Sequence, residues 1–244
     1  MGAAKKFGLI GQNISYSFSG KYFTEKFRQL GLDNYSYKIF DFNDLSSLRQ
    51  FCEKEKLSGF NVTIPFKEKI IPLLDSLSEE AKMIRAVNTV AVRDGHLRGY
   101  NTDASGFEAT LMRLKQDHHR SALVLGNGGA AKAVQYVLKQ HQITYNTVYR
   151  KGALNFDTLT AEEVQTHKII VQTTPVGTYP NIGDCLKFPF EALSPQHVVI
   201  DLIYNPSQTL FLRESASRGA TTANGQMMLE QQAEKAWEIW NREA

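Results

Sequence analysis

The sequence predicts an α/β protein built on parallel sheets and divided into two parts. Three observations carry that expectation. Short apolar runs of strand-like composition alternate with helical stripes along most of the 244 residues, and strands interleaved with helices imply parallel pairing through crossovers. A polar connection, KQDHHRS at 115–121, separates two such series. The second series opens on an apolar strand, a glycine-rich turn and a helix, LVLGNGGAAKAV.

The elements follow in order. FGLIG (7–11) is a short apolar strand, and a helix from Ser19 to Leu30 carries Phe23, Phe27 and Leu30 on one stripe before Gly31 ends it. YSYKIFDF (35–42) is the next strand. Asn43 is placed to cap a helix bearing Leu45, Leu48 and Phe51, and Gly59 to break the chain after it. In FNVTIPFKE (60–68), Phe60, Val62 and Ile64 alternate with Asn61 and Thr63, so a strand turns three apolar side chains one way and an amide and a hydroxyl the other. Pro65 then stops the ladder and Lys67 follows. An edge strand with a wet face and a solvated Lys fits this stretch, and so does a strand whose polar face lines a cleft. In AVNTVAVRDGHLRGYN, Asp94-Gly95 stands between two alternating runs, the strongest short hairpin signal. Later strands are expected near 122–126, 144–149, 168–173 and 198–204. The final MMLEQQAEKAWEIW puts Leu229, Ala233, Ala236 and Trp240 on one stripe with Trp237 beside it, a helix that needs a surface to pack on.

Composition narrows the function classes. Apolar residues make up 42%, and 28 Lys and Arg face 25 Asp and Glu with no long basic run. Neither nucleic acid nor an anionic membrane is suggested as a partner, whereas a small anionic ligand is allowed. Cys52 and Cys185 lie far apart without a CxxC or Cys/His cluster, and the histidines lack metal spacing, so no metal site is expected. No apolar run approaches the roughly 20 residues of a membrane span, the N-terminus lacks a secretory apolar core, and Lys6 breaks the myristoylation pattern; a cytoplasmic protein is expected. GxSxG, HExxH and Walker A sequences are absent.

The glycine-rich turn points to chemistry. Gly126, Gly128 and Gly129 give a tight turn and let backbone touch a pyrophosphate, and a helix starting near Ala130 offers free N–H groups and a favourable dipole. Ala131 takes the position of the third small residue. The next strand ends in Tyr149-Arg150-Lys151, where a carboxylate usually contacts the ribose of NAD. Two cations there suit the 2′-phosphate of NADP, unless the loop simply faces water. A nicotinamide cofactor in the second part asks for a substrate and a proton donor in the first. Asp103, in YNTD, stands near the boundary as a cleft carboxylate or a helix N-cap. Ser17 and Ser19 cap a helix or hydrogen-bond an anion, and Asn88 is an amide amid apolar neighbours.

Taken in order, the SxS of 17–19, NVTIPFKE, AVNT, NTD, GNGGAAK and a late Gln in the last helix resemble the shikimate dehydrogenase family over nearly the whole chain. The resemblance implies an N-terminal α/β substrate domain, 1–103 joined by a returning helix at 225–244, and a Rossmann-type NADP-binding domain at 104–224. It implies the reversible NADPH-linked reduction of 3-dehydroshikimate to shikimate, a step of aromatic amino acid biosynthesis, with Lys67 and Asp103 as the catalytic pair. Ser17 and Ser19, with Tyr204 nearby, resemble the residues that hold the substrate carboxylate; Thr63, Asn88 and Gln232 resemble the ring-hydroxyl contacts. On the cofactor side Gly126, Asn127, Gly128, Gly129 and Ala130 resemble the phosphate loop and Arg150 and Lys151 the 2′-phosphate clamp. Thr173, Ile203, Gly225 and Met228 resemble the neighbours of ribose and nicotinamide. Rival expectations are a quinate/shikimate dehydrogenase of dual specificity, linked to NADP or to NAD, and a non-catalytic NADP-binding regulator. The chain departs from the family pattern at Asn13, Tyr16 and Gly20, which replace Pro, His and Pro; at Leu154, which replaces a second Arg; and at Asn224 and Met227, which replace an Asp and a Gly.

Overall fold

The computed structural model describes residues 4–14 and 17–242, which form two units: one from the N-terminus to Thr102 joined by the chain from Ala233 onward, the other Asp103–Gln232. Tyr16 lies outside the described residues.

In the first unit β1 (Lys5–Gly11), α1 (Phe18–Gln29), β2 (Tyr35–Asp41), α2 (Leu48–Glu55) and β3 (Leu57–Val62) come first, then β4 (Ser76–Leu77), α3 (Glu79–Ile84), β5 (Thr89–Arg93) and β6 (His96–Tyr100). The sheet runs β2-β1-β3-β5-β6-β4. β1 is parallel to β2 and β3, whereas β5 and β6 form the antiparallel hairpin that Asp94-Gly95 announces, with Arg93 opposite His96. Both turn residues have positive φ, 48° and 78°, as a type I′ turn requires. Alternation along β1 sends Phe7 and Leu9 to one face and Ile10 to the other. Ile10, Phe60, Val62 and Val90 pack with Leu48 and Cys52 of α2. Phe7, Leu9, Tyr37 and Ala91 pack with Phe23 and Phe27 of α1, and with Ala233, Ala236 and Trp240 from the end of the chain.

Three local expectations are corrected here. The helix after β2 begins at Leu48, because Asp44 folds its carboxylate onto the Ser46 N–H (2.8 Å) and hydroxyl and holds a turn where Asn43 was expected to cap. The break before β3 falls at left-handed Lys56 (φ 53°), and Gly59 lies inside the strand. Gly59 is there because a Cβ would strike the indole of Trp240, whose Nε1 donates to the Val90 carbonyl at 3.0 Å. β3 also ends at Val62: Ile64 is 64% exposed and joins Pro65 through a cis peptide, so the apolar alternation stops two residues early.

The second unit holds α4 (Asp103–Leu114), β7 (Ser121–Leu125), α5 (Gly129–Gln140), β8 (Thr144–Val148), α6 (Ala161–Thr166), β9 (Ile169–Gln172), β10 (Val198–Asp201), α7 (Leu210–Ser217), β11 (Thr221–Ala223) and the start of α8 (Gln226–Arg242). All five strands are parallel, in the order β11-β10-β9-β7-β8. Burial of IIVQ and VVID along their whole length suits strands covered on both faces. Strand order reverses between β7 and β9, the switch point outside whose carboxyl ends ligands bind in sheets of this kind. Among the described residues no helix is long and apolar enough to cross a membrane.

Candidate active site

In the first unit the candidate substrate residues collect along one sheet edge. Because β1 and β3 are parallel and β5 runs against them, the ends of β1 and β3 meet the start of β5. Thr63 lies just past β3, with its N–H on the Ile10 carbonyl (2.9 Å) and its carbonyl accepting the Phe66 N–H (2.9 Å). Phe66 and Ile70 are anchored in the core, and between them the Lys67 carbonyl accepts the Val87 N–H at 2.7 Å. The turn thus fixes the backbone of Lys67 while its side chain is half-buried. Ser17 is the N-cap of α1, its Oγ accepting the Ser19 N–H at a long 3.4 Å, and Ser19 is buried. The helix-cap reading of Ser17 is met, with a hydroxyl only weakly engaged by it.

Under this edge lies a buried polar chain. The Ser19 hydroxyl bonds the Tyr37 phenol, which donates to Asn61 Oδ1 at 2.8 Å. Burial first of all pushes the Tyr37 pKa far above its ordinary value, so the phenol stays a donor. Asn61 Nδ2 donates to Thr89 Oγ1 (3.0 Å) and the Asn88 carbonyl (3.3 Å), so Asn61 is a buried link and not a cleft-facing group. Asn88 Nδ2 donates to Thr102 Oγ1 at 3.0 Å and Oδ1 accepts the Thr102 N–H at 2.7 Å. Asn101 Nδ2 donates to the Ala86 carbonyl at 2.9 Å. The amides and hydroxyls of NVT, AVNT and NTD thereby lock three chain segments together. Buried polar groups are this fully paired because each one left over costs about 1–3 kcal/mol.

In the second unit every strand of the parallel sheet ends at a candidate cofactor residue, joined after β10 by the candidate substrate residue Tyr204. Gly126 follows β7, Arg150 and Lys151 follow β8, Thr173 follows β9, Ile203 and Tyr204 follow β10, and Gly225 follows β11. Gly126 has φ +123° and a Cβ would meet Thr173 Oγ1, which donates to the Leu125 carbonyl at 2.8 Å. Gly128 is the N-cap of α5 with no side-chain cap and open space where a Cβ would stand. Gly129 and Ala130 open the helix and Asn127 is exposed, so the helix begins one residue before Ala130 with its first N–H groups uncovered by any capping side chain. Arg150 and Lys151 are exposed, whereas Leu154 packs against the buried cluster of Leu125 and Val148. Gly225 lets the chain run against the Leu202 carbonyl and gives its N–H to Ile203 at 2.9 Å. Asp103 is the first residue of α4 and buried. At Gly106, α4 meets α8 beside Met228 and the Cβ of Gln232 (3.2 Å), which brings these helices together. Among the described residues no three His, Cys, Asp or Glu side chains are grouped to hold a metal.

Residues 9–90 match the model of the shikimate dehydrogenase substrate binding domain. Over 96% of the chain and 88% of its relative, the sequence is 36% identical to the shikimate dehydrogenase (NADP(+)) of Desulforamulus reducens. The chain belongs to the shikimate dehydrogenase family. To the shikimate dehydrogenase (NADP(+)) of Caldanaerobacter subterraneus it is 37% identical, over 98% of the chain and 92% of the relative. The crystal structure of Thermus thermophilus shikimate 5-dehydrogenase with NADP(H) and shikimate superposes with a TM-score of 0.86 at 30% identity, covering 98% of this chain and 94% of that one. Within this family the α/β architecture with a Rossmann-type sheet is shared. Sequence reasoning overlooked Tyr37 and Asp201, for which a tyrosine inside a strand and a lone carboxylate closing VVID were the only signals, and singled out Asn88 of AVNT without its neighbour Thr89.

Proposed function

We propose that this protein catalyses the reversible NADPH-linked reduction of 3-dehydroshikimate to shikimate in the cytoplasm, as a step of aromatic amino acid biosynthesis. The observation that carries this reading is similarity over 96% and 98% of the chain to relatives named shikimate dehydrogenase (NADP(+)). We assign substrate binding to 1–103 with 225–244, and NADP binding to 104–224.

The residues present fit the cofactor. Gly126 leaves no room for a side chain beside Thr173, and the uncapped start of the twelve-residue α5 offers N–H groups to a pyrophosphate. Exposed Arg150 and Lys151 supply charge for the 2′-phosphate, and Thr173, Ile203, Gly225 and Met228 flank the ribose and nicotinamide. When bound, NADPH supplies the hydride to the carbonyl carbon. As negative charge grows on the carbonyl oxygen, the Lys67 ammonium stabilises it and delivers the proton. In the reverse direction the neutral Lys67 amine takes the hydroxyl proton. Asp103 orients Lys67 and bonds the same hydroxyl. Ser17, Ser19 and Tyr204 hold the carboxylate, and Thr63, Asn88 and Gln232 the ring hydroxyls.

The test is a matrix of initial rates followed by NADPH absorbance, shikimate and quinate each with NADP and NAD. The proposal requires shikimate with NADP to give the highest kcat/KM. Faster turnover of quinate would replace the substrate assignment, and no turnover in any cell would leave a binding protein.

A further inference from the structure

Asp201 ends β10 with no exposure at all, and an ionised carboxylate away from water is costly unless its partners compensate. Burial pushes its pKa up to about 6 against the pull of its hydrogen bonds from Thr209 and Ile203. Oδ1 accepts the Ile203 N–H at 3.0 Å and Oδ2 the Thr209 hydroxyl at 2.6 Å. Thr209 is itself buried, and its Oγ1 accepts the Leu212 N–H at 3.2 Å as the N-cap of α7. One carboxylate therefore ties the two ends of loop 202–209 to the sheet and to a helix start.

The middle of the loop is held from outside. The Leu202 N–H donates to the Gln172 carbonyl (3.0 Å), the Asn205 carbonyl accepts the Tyr179 N–H (3.1 Å) and the Thr178 hydroxyl (3.2 Å), and the Ser207 carbonyl accepts the Asn224 amide (2.9 Å). Two donors converge on Asp201, an N–H and an O–H, and an amide in its place has one acceptor oxygen and would turn its NH2 toward a donor. The cap of α7 does not need Asp201, since Thr209 supplies it. What the carboxylate adds is a hold on the Ile203 N–H, one residue before Tyr204.

We infer that Asp201 is a positioning residue of the dehydrogenase reaction, holding Ile203 and Tyr204 in register for nicotinamide and substrate carboxylate through its clamp on Thr209. The inference rests on the dehydrogenase reading. Its test uses the full chain as Asp201→Asn, Thr209→Val and Thr209→Ser, measuring kcat, both KM values, melting temperature and amide exchange. Asp201→Asn and Thr209→Val should raise KM for shikimate and NADP about tenfold, the scale of one lost hydrogen bond to a charged group. Exchange over 203–205 should quicken in both, and Thr209→Ser, which keeps the hydroxyl, should match wild type. A merely structural residue would lower the active fraction and the melting temperature at unchanged KM, and that outcome overturns the inference. So does wild-type exchange over 203–205. If Asp201→Asn does not fold, the two Thr209 variants decide. If wild type itself fails to turn over shikimate, the dehydrogenase reading falls separately, and calorimetric titration of NADP judges the clamp: a roughly tenfold weaker Asp201→Asn supports it and equal affinity overturns it.

Discussion

Lys67 owes its place to the turn that precedes it. Phe66 and Ile70 are buried on either side and the Lys67 carbonyl is bonded to Val87, so the backbone from which the ammonium extends is fixed by the core. A residue that is fixed at its backbone and only partly exposed suits proton transfer, which needs position before anything else. Lys67→Met should leave shikimate binding largely intact and cut kcat by roughly 10²- to 10⁴-fold. Steady-state kinetics of the purified variant checks this, and near-normal turnover would remove Lys67 from the mechanism. Ser17 caps α1, and the proposed function gives it a second, competing duty as an anion ligand. Its long 3.4 Å cap bond contributes little, so Ser17→Ala should raise the shikimate KM about tenfold with little change in melting temperature. The opposite pattern, a lower melting temperature at constant KM, would make it a cap only.

At the scale of elements, the cofactor half asks which cations meet the 2′-phosphate. Leu154 packs against the core, so the turn offers Arg150 and Lys151 as its exposed cations. Arg150→Ala combined with Lys151→Ala should weaken NADP by at least about thirtyfold and NAD by only a few fold, read by calorimetry. Equal losses would mean that the two residues shape the loop instead of reading the phosphate. Elements set by local chemistry were legible in the sequence: Asp94-Gly95 dictates its hairpin, and the Gly126–Gly129 turn its strand-to-helix junction. Elements set by distant partners were not. Gly59 looks like a break until Trp240, 181 positions later in the chain, is seen to fill the space it leaves. β4 and β11 span only two and three residues, too few for a period to register. Asn61 reads as a cleft-facing amide by alternation, and only the tertiary structure supplies Tyr37 and Thr89 as its partners.

For the whole molecule, acid stability follows from two buried imidazoles in the second unit. His119 Nδ1 accepts the Gln116 N–H at 2.9 Å, and its Nε2 donates to the Gln196 carbonyl at 3.0 Å. His197 Nε2 donates to the Val164 carbonyl at 3.0 Å. Burial lowers both pKa values, so each ring is neutral in the fold and binds a proton more readily once unfolded. Their contribution is complete above the unfolded value of about 6.5 and is lost as pH falls below it. Asp201 works the other way: its raised pKa of about 6 gives a contribution present at acid pH and lost as pH rises through about 6. Replacing both histidines, as His119→Gln with His197→Gln, isolates their part. The drop in urea midpoint between pH 7 and pH 5 should then be shallower than in wild type, and an unchanged slope would mean that these rings do not govern it.

The central claim concerns the reaction, and its most direct measurement is stoichiometry. Purified wild-type protein is mixed with 3-dehydroshikimate and NADPH, loss of NADPH is followed by absorbance, and the product is identified by chromatography. The account predicts one shikimate formed for each NADPH consumed, with shikimate formation and NADPH loss slowed together in Lys67→Met. Consumption of NADPH without shikimate, or no consumption by folded protein that still binds NADP, would contradict it.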